Sequence, residues 1–179
     1  MYYPTMEDAQ KLAGEGNLVP IYREINADLD TPVSAYLKIA RPPYSFLLES
    51  VEGGERLARY SFIGTEPDDV IKTGPGQKQG AVDPLVLIQD ALSSLKAIGL
   101  SEDRRFNGGA VGYMAYEAIN YFERLPLHAS DSLGLPESIF MITTTFLVFD
   151  HVRHKIRVVS HVRLDGDVAR SYAEAKNRI

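Results

Sequence analysis

The chain has 179 residues, 45% of them hydrophobic and 24% charged, an ordinary globular balance over a length that can close a core, and it reads as one domain over residues 1–179. A formal charge of -5 excludes binding driven by phosphate neutralisation, so nucleic acid is not expected as a partner. With no cysteine, disulfides, thiolate metal sites and thiol nucleophiles are excluded. The opening MYYPTMEDAQ lacks a signal peptide's basic start and apolar run, and no stretch approaches about 18 apolar residues, so a soluble, cytoplasmic chain without membrane contact is expected.

In chain order, Thr5 with Asp8 three residues on resembles a capping box, followed by a short helix with Met6, Ala9 and Leu12 on one face that stops at Gly14. Residues 18–25 read as a strand. Thr31 and Pro32 supply an N-cap and a first-turn proline for a helix near 32–39, its apolar face expected to hold Val33, Tyr36, Leu37 and Ile39. Pro42 and Pro43 stop it and begin the apolar run SFLLES (45–50). After the Gly53–Gly54 turn a returning strand is expected over 59–64, then a short one over 70–73. The tract GPGQKQGAV (74–82) is a surface loop, and Asp83 and Pro84 open a helix with Leu85, Ile88, Leu92 and Leu95 at helical spacing. FNGGAVGYMAY (106–116) reads as a close-packed strand and 123–137 as a long connection. SIFMITTTFLVF (138–149) is one continuous β run, paired through the turn DHVRHK with a strand over 155–162. The last residues, DVARSYAEAKNRI, are helical without a C-cap signal, as though the natural chain continued. Hairpins with separate helices and no regular alternation point to an α+β fold of mostly antiparallel sheet.

Chemistry concentrates at 45–64. Glu49 and Ser50 end one strand and Arg59 begins the next, so a carboxylate, a hydroxyl and a guanidinium can converge at one hairpin edge. An amino acid offers an ammonium, a carboxylate and a side chain: Glu49 would take the first, Ser50 would hydrogen-bond, and Leu47 or Leu48 would face the last. The ordinary alternative is a cross-strand Glu49–Arg59 ion pair with Ser50 beginning a turn. Gly108, Gly109 and Gly112 lack the Lys and Ser/Thr of a P-loop and read as packing glycines. Tyr113 and Tyr116 read as core or interface residues, and His151 and His154, beside Asp150, as a solvated turn without enough ligands for a metal.

LLES with GGERLARYSFIG, and GGAVGYMAYE at 108–117, resemble the N-terminal region of anthranilate synthase component I, and the likeness spans essentially the whole chain. The resemblance implies that the LLES tract lines the pocket for the feedback inhibitor L-tryptophan. Carried over by motif, Leu48, Glu49 and Ser50 are the effector-binding residues, Ser50 foremost, with Arg59 a basic member of the same pocket. It further implies a parent lyase that converts chorismate and ammonia to anthranilate and pyruvate, ammonia coming from a glutamine amidotransferase subunit. Chorismate and Mg²⁺ would bind in a C-terminal domain this chain lacks, so no catalytic residue, metal or cofactor is expected here and the chain alone is expected to be inactive. Three alternatives stay open: the N-terminal domain of an aminodeoxychorismate synthase large subunit, a free-standing amino-acid-binding module, and a purely structural docking domain with no ligand affinity.

Overall fold

The computed structural model describes residues 1–49, 59–99, 106–126 and 133–179. Its strands are β1 (Leu18–Asn26), β2 (Ser45–Leu48), β3 (Tyr60–Thr65), β4 (Asp69–Thr73), β5 (Gly109–Met114), β6 (Ser138–Thr143), β7 (Thr145–Asp150) and β8 (Lys155–Arg163). The α-helices are α1 (Met6–Lys11), α2 (Pro32–Ile39), α3 (Pro84–Ser93) and α4 (Val168–Arg178), with 3₁₀ turns at Leu12–Gly14 and Tyr116–Tyr121. The fold is α+β: one sheet runs β1-β8-β7-β3-β2 and the other β4-β6-β5. The residues gather into two compact units, Met1–Pro67 with Leu95–Gly108 and Thr143–Ile179, and Asp68–Ser94 with Gly109–Ile142.

In the larger unit the four ladders of the five-stranded sheet are antiparallel. One sheet face is covered by helices. Val19, Ile21 and Val162 are fully buried with Ala9, Tyr172 and Ala175 of α1 and α4, each large aliphatic contributing roughly 1.5–3 kcal/mol. Ile63, Phe149 and Ile156 pack with Ala35 of α2. That helix starts as expected, Thr31 and Ser34 forming a reciprocal capping box and Pro32 opening the first turn. Its buried stripe differs from the expected one: Pro32, Ala35, Tyr36 and Ile39 face the sheet, while Val33 and Leu37 are 47% and 75% exposed. The small Ala35 lets the helix approach the sheet closely, and this packing overrides a stripe read from apolar residues alone.

The run 138–149 is not one strand. It breaks at Thr144, β6 joining the three-stranded sheet and β7 the five-stranded one. No turn residue marks the break, where His161 Nδ1 donates to the Thr144 carbonyl at 2.8 Å. The β7–β8 hairpin forms as expected, Thr145 opposite Ser160 and Asp150 opposite Lys155.

In the smaller unit β6 is the central strand and pairs with β4 from Ser138–Thr73 to Ile142–Asp69. Gly112 lets β5 sit against the Ile139 carbonyl where any Cβ would collide, the packing role expected of it, and Gly109 takes a φ of +123°, next to Gly108 of the larger unit at +85°. The Thr73 and Ser138 hydroxyls satisfy each other in a buried pair 2.8 Å apart. Burial pushes the Tyr121 phenol up to about 12, helped by its hydrogen bond to Glu137. Asp83 caps α3 through the Leu85 N–H, but Leu85 is 45% exposed and Leu95 lies beyond the helix end at Ser93. Tyr113 and Tyr116, at 41% and 78% exposure, lie outside the core.

Candidate functional site

Helices α1, α2 and α4 pack on one face of the larger sheet, and Leu48, singled out from sequence on β2, belongs to the other. Alternation along each strand fixes what that face presents. One row across the five strands reads Leu48, Phe62, Val148, Arg157, Glu24, spanning roughly 19 Å at strand spacing. The next row reads Phe46, Gly64, Phe146, Val159, Tyr22, and the row on the other side includes Tyr60 and Asp150.

Phe106 stands over the Phe46 row, 4.9 Å from the Phe146 ring and 5.1 Å from Phe62. Gly64 makes room, since a Cβ there would enter the Phe46 ring. What remains open is an apolar floor of Leu48, 44% exposed, with Phe62 and Val148 half-buried beside it.

Charge flanks this floor on two sides. Arg157 meets Glu24 at 3.1 Å and lies over the Tyr22 ring. At the start of β3, Arg59 forms a fork with Asp150: Nε donates to Oδ1 at 3.1 Å and Nη2 to Oδ2 at 2.8 Å. The guanidinium also sits 4.8 Å from the Tyr60 ring centre. Burial opposes ionisation of Asp150, but Arg59 and the backbone N–H groups of Arg153 and Val152 outweigh it and hold the carboxyl below the usual range.

Among the residues singled out from sequence, Leu48 ends β2 opposite Phe62, on the same face as the Asp150 carboxylate that holds Arg59. Glu49 follows, exposed and beyond the ladder. Ser50 lies outside the described residues. Arg59 takes Asp150 in its fork, not Glu49, the cross-strand partner the sequence offers. His151, expected to be solvated, is half-buried; its Nε2 lies 2.8 Å from the Ser61 hydroxyl and its ring against Phe149. Sequence reasoning missed Asp150, Phe62, Val148 and Phe106 as parts of this face. The one local signal was an acid closing the apolar run TFLVFD, and it says nothing of which strand lies opposite.

The geometry is therefore an aromatic and aliphatic floor rimmed by ion pairs. A sequence model of a family described as chorismate binding enzyme matches residues 43–178. Anthranilate synthase component 1 of Acetivibrio thermocellus is 37% identical over the whole chain, which covers 38% of that relative. A probable anthranilate synthase component 1 of Schizosaccharomyces pombe is 41% identical over 89% of the chain and 32% of its own length. The crystal structure of anthranilate synthase component I from Streptococcus pneumoniae superposes over 87% of the chain and 36% of its own, with a TM-score of 0.51 and 26% identity. The chain thus spans about a third of the length of the relatives it matches. Agreement of sequence along the whole chain and of fold over most of it establishes that this chain belongs to the chorismate binding enzyme family, alongside the anthranilate synthase component 1 proteins.

Proposed function

We propose that the chain is the N-terminal, tryptophan-sensing region of an anthranilate synthase component 1. The observation that supports this most is the floor of Leu48, Phe62 and Val148 beside the Arg59–Asp150 pair, at the end of the LLES strand. An indole would lie on the floor, the effector carboxylate would meet Arg59, and its ammonium would meet Glu49, with Ser50 adding a hydrogen bond. The whole enzyme would make anthranilate and pyruvate from chorismate and ammonia, a lyase reaction fed by a glutamine amidotransferase subunit. It would act in the cytoplasm. Mg²⁺ would bind in the remainder of the enzyme.

The test is an inhibition curve with tryptophan on the full-length enzyme and its Ser50→Ala variant. Loss of one neutral hydrogen bond should raise the inhibition constant roughly two- to ten-fold, more if a buried partner is stranded. Unchanged tryptophan sensitivity, or a loss of uninhibited turnover without any shift in the inhibition constant, would remove this tract from the effector site.

A further inference from the structure

We propose that Asp150 is the positioning residue of the effector site: through its fork with Arg59 it fixes the guanidinium for the effector carboxylate, so that sensitivity depends on the β7–β8 turn. This rests on the effector reading above.

An arginine side chain at a strand end has many rotamers, and a cation that must meet a carboxylate in one geometry binds better when held there beforehand. Here the holder is itself held. The Asp150 side chain is only 9% exposed, and its Oδ1 accepts from the Val152 and Arg153 N–H groups at 3.1 Å each as well as from Arg59. The turn that supplies those donors also ties back to the strand it serves, the His151 N–H donating to the Arg59 carbonyl at 2.9 Å. Tyr60 stacks against the guanidinium and pairs with Asp150 across the ladder. The fork and the ring together set both the position and the plane of the Arg59 head, and about a quarter of the Arg59 side chain stays open to solvent. A lysine would keep the charge there and lose both the fork and the stack.

Tryptophan inhibition of the full-length enzyme decides this, with thermal midpoints measured on every variant to separate loss of fold from loss of aim. Asp150→Asn should raise the inhibition constant roughly ten-fold or more, the size of a charged hydrogen bond, and Arg59→Gln should do the same. The double variant should be no weaker than Arg59→Gln alone, because one residue acts through the other. Asp150→Glu should recover part of the response. Arg59→Lys should weaken inhibition although the charge is kept, and it decides the matter if Asp150→Asn fails to fold. Normal inhibition in Asp150→Asn or in Arg59→Lys beside a weakened Arg59→Gln, or multiplicative effects in the double variant, would overturn the positioning role while leaving the effector site standing. Normal inhibition in both Ser50→Ala and Arg59→Gln would overturn the effector site, and the positioning role with it.

Discussion

Gly112→Ala should destabilise the smaller unit by about 3 kcal/mol, the upper end of what overpacking costs. The added Cβ would enter the Ile139 carbonyl and come within 2.8 Å of the Phe140 Cα. Every one of those atoms is backbone of β6, which β4 flanks on its other side, so no side chain can swing away. A Cβ on Gly166 meets nothing within 4 Å, so Gly166→Ala should stay within about 0.5 kcal/mol of the parent. Amide exchange across β4 and β6, with a thermal melt, reads the difference. Equal stability of the two variants would mean that β5 does not approach β6 as closely as described.

A second large effect is expected in catalysis. The purified chain should form no anthranilate from chorismate with either ammonia or glutamine, a loss of roughly a thousand-fold or more against the full-length enzyme, if the acid–base and metal chemistry resides in the rest of the enzyme as proposed. Among the described residues no cation cluster exists, and the carboxylates Asp150 and Glu24 on the candidate face are already engaged by arginines. Metal-dependent turnover by the chain, followed by anthranilate fluorescence, would contradict the assignment of chemistry to the remainder of the enzyme.

What could be read from sequence was what local chemistry decides. Thr31 with Pro32 is a sufficient start for α2, Asp83 with Pro84 for α3, and the turn DHVRHK between two β-branched runs is a sufficient hairpin. The features that escaped are set by partners far away in the chain. The β run breaks at Thr144, where His161, 17 residues on, donates to its carbonyl. The inward face of α2 follows Ala35, a residue too small to register in a hydrophobic count. The candidate site divides the same way. The β2 strand ending at Leu48 was legible from its apolar run, but the partner of Arg59 lies 91 residues on, and no local pattern joins them. Phe62 and Val148 became part of the site only once the register placed them beside Leu48.

Amide hydrogen exchange of the full-length enzyme with and without saturating tryptophan tests the central claim most directly. If the effector sits on the floor beside Arg59, protection should rise over residues 45–49 and 59–62, and over the turn 150–153 that holds Arg59 through Asp150. Unchanged exchange in all three segments, under tryptophan concentrations that fully inhibit turnover, would contradict it.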